Sequence, residues 1–318
     1  MTDDKHSASR ETAAGLRAQE TPTPVDGGKL ALVLGGGGSA GNAWEIGVIA
    51  GLYEAGLDVT VADRIVGTSA GATVAAQLTE ASPVELLAAI LAVPAPRPGP
   101  ARSAPERLNC GSVADHLERT SRIIAAATDP TDMRRRMGAA ARELDAASNG
   151  AWRSHWRAIV AARLRTAQWP ERDVLIPAVE ASTGEPVVFD RHCGVDLVDA
   201  VAASTSASLP YRIADKLYID GGYRRNENAD LAVGCARVLV LSPFGGRTRH
   251  PLDWGMQLDT QVDELRTQGS IVATVFPDEP ALAAFGSNVM DPSTRPPAAR
   301  AGSDQGRALA EQLGRFWN

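Results

Sequence analysis

Leu30 to Leu34 is a short, continuously apolar run, the pattern of a strand buried on both faces, and it stops at four successive glycines, Gly35 to Gly38. Beyond them, Ala43, Ile46, Gly47, Ile49, Ala50, Leu52 and Tyr53 supply an apolar helical face, and Gly56 stands where a helix-terminating glycine belongs. The unit of strand, glycine turn and helix then repeats. Arg64 to Val66 predicts the strand, Gly67 to Gly71 the turn, and Ala72 to about Glu80 an Ala-rich helix. Ser82, Pro83 and Glu85 form a capping box with proline in the first turn, which predicts a third helix reaching about Val93.

Pro94 to Pro100 holds four prolines in seven residues and predicts a linker into an inserted segment. Late in that insert, Ser148 or Asn149 can cap a helix. Its apolar positions are Trp152, Trp156, Ile159, Val160 and Leu164, with Arg153, Arg157, Arg163 and Arg165 around them, so it reads as amphipathic and basic. After Pro170 the pattern turns β-like: Val174 to Ala181 and Pro186 to Phe189 flank Thr183-Gly184-Glu185 as a hairpin. A helix over Leu197 to Ser206, strands over Lys216 to Ile219, Arg237 to Leu241 and Ile271 to Phe276, and a terminal helix over Arg307 to Trp317 complete the series. Strands alternating with helices predict an α/β fold with a mostly parallel central sheet flanked by helices. The organisation expected is a disordered leader over 1–28 and a single α/β domain over 29–318, with a helical, basic cap insert at about 95–170.

Charge changes this picture in one place. The chain carries a formal −6, which argues against nucleic acid as a partner, yet Arg97 to Arg172 holds 14 Arg and no Lys against 8 acidic residues. The insert therefore has a surplus of six positive charges, and its basic amphipathic helix suits peripheral contact with an anionic membrane. No apolar run reaches the roughly 20 residues needed to span a bilayer. The polar stretch from Met1 to Gly28 lacks the apolar core of a secretory signal, and Cys110, Cys193 and Cys235 have neither metal-ligand spacing nor an even count. A cytoplasmic protein with no metal and no cofactor is expected.

The chemistry concentrates in three glycine-bearing turns. Gly67-Thr68-Ser69-Ala70-Gly71 has the Gly-x-Ser-x-Gly form of a nucleophile elbow, in which small neighbours let a serine sit on a sharp strand-to-helix turn with its hydroxyl exposed. Gly36, Gly38 and Gly41 have a Gly-x-Gly-x-x-Gly spacing that also suits a dinucleotide pyrophosphate. The acidic residue such a site needs would be Asp58 or Asp63, and neither ends a convincing strand. N–H groups of Gly37 and Gly38 at a helix start would instead face developing negative charge. Asp220, after an apolar run and before Gly221 and Gly222, would sit at a strand end.

Together, Leu32 to Gly41, the Ser69 elbow and the Asp220-Gly221-Gly222 turn resemble the patatin-like phospholipases in order and spacing. Ala202-Ala203-Ser204-Thr205-Ser206-Ala207-Ser208-Leu209-Pro210 is similar to the helix and loop before that family's aspartate, so the resemblance spans about Lys29 to Pro243. It implies a Ser–Asp dyad without histidine: Ser69 as nucleophile, Asp220 as base, and an oxyanion hole from Gly36, Gly37 and Gly38. Gly41, Gly67, Gly71, Gly221, Gly222 and Asn226 would support the motifs. The implied activity is cleavage of lipid acyl esters, those of phospholipids or lysophospholipids. A carboxylate with an ordinary pKa near 3.9 is a weak base at pH 7, so such a dyad requires a low-dielectric site.

Two positions depart from the family pattern. Ala40 stands where members usually carry Arg or Lys, and Asn226-Glu227-Asn228 replaces the usual Asn-Leu-Pro. Two other readings stand beside this one. Ser69, Asp220 and His250 occur in the chain order of an α/β-hydrolase triad, although the polar run around His250 reads as a solvated loop; His116, His155 and His192 read as structural. A non-catalytic lipid-binding protein on the same fold is the third reading.

Overall fold

The computed structural model describes residues 28–92, 113–148 and 151–318. The expected leader, the Pro94–Pro100 linker, Cys110 and Asn149 lie outside the described residues, Gly28 excepted. The strands are β1 (Leu30–Leu34), β2 (Arg64–Gly67), β3 (Asp173–Glu180), β4 (Pro186–Phe189), β5 (Tyr211–Ile213), β6 (Lys216–Asp220), β7 (Arg237–Leu241) and β8 (Ile271–Val275). The helices are α1 (Gly38–Glu54), α2 (Ala70–Leu78), α3 (Pro83–Leu91), α4 (Val113–Ala126), α5 (Pro130–Ala146), α6 (Trp152–Ala161), α7 (Leu197–Ser204), α8 (Leu258–Thr267), α9 (Glu279–Phe285) and α10 (Arg295–Trp317).

The strands join in one mixed sheet of order β5-β6-β3-β2-β1-β7-β8, with β4 also paired to β3. From β3 through β2, β1 and β7 to β8 all neighbours are parallel, and the pairings of β4, β5 and β6 are antiparallel. In β1, Leu32 and Leu34 enter a core beneath α1, α2 and α7, while Ala31 and Val33 enter a second core with Val262 and Leu265 of α8. Burial on both faces is why this strand is written without polar alternation.

β3 is the joint of the sheet. Its first part, Asp173 to Leu175, pairs in parallel with β2; its last part, Ala178 to Glu180, pairs antiparallel with β6, and Asp220 stands opposite Ala178. One strand thus holds the ends of β2 and β6 a few residues apart.

The C-terminal helix is longer than the periodicity predicts, starting at Arg295 instead of Arg307. Pro296 and Pro297 fall in its first turn, where a missing N–H costs nothing. α10 packs directly on α1. A Cβ added at Gly47 would lie 2.2 Å from the Ala299 carbonyl oxygen, and one at Gly302 would lie 2.4 Å from that of Trp44. Gly51 and Gly306 are equally crowded, so four glycines let two backbones touch.

Two further sequence expectations change. Ala151, not Ser148, precedes α6, and the Ser148 hydroxyl donates to the Asp145 carbonyl. β5 joins the sheet from a stretch with no strand expectation. α6 is tied down by ion pairs: Arg153 pairs with Asp145 and Arg157 pairs with Asp196 and Asp199, while Trp152 is buried. No helix among the described residues is long and apolar enough to cross a membrane.

Candidate active site

Ser69 sits between β2 and α2 as the N-cap residue, with φ +52° and ψ −113°. A non-glycine residue holds this conformation only when its surroundings impose it. Here they do. Gly71 donates its N–H to the Gly35 and Thr68 carbonyls at 3.2 and 2.8 Å, and Ser69 donates its own N–H to Ser204 Oγ at 3.1 Å. A Cβ on Gly71 would lie 2.2 Å from the Leu34 carbonyl oxygen, and Gly67 and Gly221 meet comparable obstacles. Gly71 therefore lets the elbow pass close under β1, and Gly221 lets the turn after Asp220 pass close under β3.

Ser69 Oγ donates to Asp220 Oδ2 at 2.7 Å, and Asp220 Oδ1 accepts from the Gly222 N–H at 2.8 Å. The Asp220 N–H in turn donates to the Ser206 carbonyl at 3.0 Å. Asp220 is only 7% exposed. Burial pushes its carboxyl up to about 6, against the opposing pull of the Gly222 N–H and the Ser69 hydroxyl. The raised value makes this carboxylate a stronger base than an exposed aspartate.

Of the three glycines expected to face an oxyanion, the structure separates one. Gly36 donates its N–H to the Asn226 carbonyl at 3.0 Å and has no donor left to give. Gly37, at the N-cap, and Gly38, the first residue of α1, keep N–H groups with no acceptor among the described residues. Gly38 has φ +64°, and a side chain there would meet Met290 Sδ at 2.8 Å. A Cβ on Gly41 would meet Pro243 at 2.8 Å. The helix start thus offers unpaired donors to an anion.

Asn226 braces this loop from the other side: its Nδ2 donates to the Gly36 carbonyl at 3.2 Å and to Glu227 Oε1 at 2.9 Å. Asn228, noted in the sequence only as part of a departure from the family pattern, ties two motifs together. In the left-handed conformation at φ +53°, it brings Nδ2 within 3.0 Å of Thr68 Oγ1 and 3.2 Å of the Gly221 carbonyl. A lone Asn before Ala-Asp carries a weak left-handed signal and nothing more. Ser204 was likewise quoted only as part of a similar stretch, although its hydroxyl receives the Ser69 N–H.

The cation absent at Ala40 has a counterpart from far along the chain. Arg295, at the start of α10, donates to the Ser39 carbonyl at 3.3 Å and to Asn42 Oδ1 at 2.8 Å, and Asn42 Nδ2 donates to the Ala70 carbonyl at 3.2 Å. Beneath the loop lie two fully buried acids. Burial holds Glu45 of α1 well above the ordinary carboxyl range, with Glu227 nearby adding to the rise. Burial also raises Glu227, which accepts from the Ser242 hydroxyl at 2.7 Å.

Ser69, Asp220 and the glycines open onto a cavity of about 480 Å³. α4 supplies Leu117 and Ile124 to its wall and α5 supplies Met137, so helices of the insert cover the site. His250 also lines the cavity and is half-buried, not the solvated loop residue its sequence context suggests. Its Nδ1 lies 2.8 Å from Thr248 Oγ1 and its ring stacks on Trp254. Burial, with Arg249 adding to it, lowers it to about 4, and no hydrogen bond joins it to Asp220 among the described residues. His116 is on the same wall, while His155 and His192 are exposed elsewhere.

A strained serine at a strand-to-helix elbow, an adjacent buried aspartate and a glycine turn at a helix start, on a mixed α/β sheet, are the parts of a serine acyl hydrolase. The patatin-like phospholipase family matches residues 32–233, well over half of the chain, and the chain belongs to that family, one of lipid acyl hydrolases. No curated protein matches the sequence. Among solved structures the chain is similar to VipD from Legionella pneumophila, at 12% identity and a TM-score of 0.38, over 89% of this chain and 67% of that one.

Proposed function

We propose that this protein hydrolyses carboxylic esters of phospholipids or lysophospholipids through an acyl-enzyme on Ser69, with Asp220 as the base. The observation that carries the reading is the 2.7 Å contact from Ser69 Oγ to an aspartate whose burial lifts it to about 6. As Oγ attacks the ester carbonyl, its proton passes to Asp220 Oδ2. The carbonyl oxygen becomes an oxyanion and meets the Gly37 and Gly38 N–H groups, each such donor worth on the order of 10²–10³ in rate. Collapse expels the alcohol, which takes the proton from Asp220 and leaves the acyl group on Ser69. Water then attacks, giving its proton to Asp220; the acid departs, and the proton returns to Ser69 Oγ. No step calls on His250.

The test is intact-protein mass after incubation with a fluorophosphonate ester. The expected result is one adduct on the wild type, none on Ser69→Ala, and labelling of Asp220→Asn slowed on the order of 10²–10⁴-fold. A folded wild type that takes no adduct would remove the esterase reading and favour lipid binding without catalysis.

A further inference from the structure

The first turn of α1 is gripped from outside by a stretch that lies beyond residues 32–233, the part of the chain that matches the family. The Val289 carbonyl accepts the Ala40 N–H at 2.9 Å, and Arg295 donates Nη1 to the Ser39 carbonyl at 3.3 Å and to Asn42 Oδ1 at 2.8 Å. A guanidinium has no lone pair, so the Asn42 amide turns its oxygen to Arg295 and its nitrogen the other way. That nitrogen donates to the Ala70 carbonyl at 3.2 Å in a buried contact, and Ala70 is the residue after Ser69. Arg295 therefore fixes the orientation of Asn42, and Asn42 ties the start of α1 to the elbow. Gly71 makes a second tie, to the Gly35 carbonyl at the end of β1. The Gly37 and Gly38 donors lie between these two anchors.

The charge on Arg295 is not needed to hold a resting turn. Its acceptors are neutral, and no carboxylate pairs with it among the described residues. Burial, with Arg163 nearby adding to it, lowers it to about 10. A cation at a helix start also opposes the positive end of the helix dipole. These features cost the resting protein stability, and they favour negative charge at the turn, where the cation and the dipole act together. Neither Arg295 nor Asn42 lines the cavity, so any effect on a reacting ester passes through the turn and the elbow.

We propose that Arg295 and Asn42 are positioning residues, which hold the Gly37 and Gly38 N–H groups in register with Ser69 Oγ and so set the rate of acylation without touching the ester. The proposal rests on the esterase reading of Ser69 and Asp220. A displacement of about 1 Å between donors and nucleophile is enough to cost on the order of 10²-fold in rate. The two residues act as one relay: without Arg295 the Asn42 amide is free to turn, and without the Asn42 N–H the elbow loses its tie to α1.

The experiment follows inactivation by a fluorophosphonate ester over a range of concentrations, which separates the maximal rate from the half-saturating concentration. Arg295→Gln should lower the maximal rate by roughly tenfold or more and shift half-saturation by less than about twofold. Arg295→Lys, which keeps the charge and a donor, should recover most of the loss. Asn42→Asp tests the second link. Its carboxylate, held ionised by Arg295, accepts as the amide does but has no proton for the Ala70 carbonyl, so it should lose as much rate as Arg295→Gln. The double variant should be no slower than the slower single variant. An unchanged rate in Arg295→Gln, a loss confined to half-saturation, a lysine variant no better than the glutamine one, or losses that multiply in the double variant overturns the proposal. Amide hydrogen exchange reads the tie without chemistry. Exchange at Gly41 and Gly71 should quicken in Arg295→Gln while β7 and β8 keep their wild-type rates; exchange unchanged at the two glycines, or quickened throughout the sheet, defeats the positioning role. A folded wild type that takes no adduct removes the esterase reading, and the exchange measurement then decides the tie by itself.

Discussion

In the proposed reaction Asp220 owes its basicity to burial, and that would set the acid side of the activity. The carboxyl must be ionised to take the Ser69 proton, and burial raises its value to about 6. kcat/KM for a soluble aryl ester should therefore rise with pH through about 6 and then level off. His250 is lowered to about 4 and stays neutral across that range, so His250→Ala should leave the midpoint in place. A midpoint that moves or vanishes in His250→Ala would restore the triad. At this scale the sequence carried Ser69 and Asp220 openly, because elbow and Asp-Gly-Gly turn are written in contiguous residues. It could not separate Gly36 from Gly37 and Gly38. That distinction is made by the Asn226 carbonyl, 190 positions away in the chain.

α1 joins the oxyanion turn to the core, and it carries Glu45 at 0% exposure with neither carboxylate oxygen hydrogen-bonded. Its folded-state value is raised, so the folded protein keeps a proton that the unfolded chain loses above about 4.3. Folding then takes up a proton, and stability falls as pH climbs from the unfolded value toward the folded one, by up to about 1.4 kcal/mol per pH unit. Glu45→Gln removes this cost. Its thermal midpoint should exceed the wild type's by a margin that widens from pH 5 to pH 8, and a margin constant with pH would refute the protonated assignment. Most elements were legible, since β1 is continuously apolar, β7 and β8 are apolar but for Arg237 and Thr274, and the Ser82 capping box is local. The ion pairs of α6 were not, because Arg157 finds Asp196 and Asp199 at the start of α7, some forty residues later. The first turns of α10 were not legible either, because the pattern predicts a terminal helix only from Arg307 while the helix starts at Arg295.

At the scale of the molecule, alternation predicted the layers but not the order of strands. Nothing local states that β1 lies between β2 and β7, that β3 changes partners midway, or that Arg295 reaches the start of α1. The cavity was invisible for the same reason: its wall is gathered from eight separate stretches between Gly36 and Met290. The glycine contact between α1 and α10, with Trp44 Nε1 donating to Gln305 Oε1 across 261 positions, has a consequence for synthesis. A ribosome that has just released Asn228 has already made every residue of the dyad and its turns. That nascent chain still lacks β7 beside β1 and α10 beside α1. Chains truncated after Asn228 should therefore stay unlabelled by a fluorophosphonate that marks the full chain, and labelling of such a truncation would break the argument. The order of translation thus holds back the proposed nucleophile until its scaffold arrives, so that a half-made chain would have no assembled elbow with which to attack lipid.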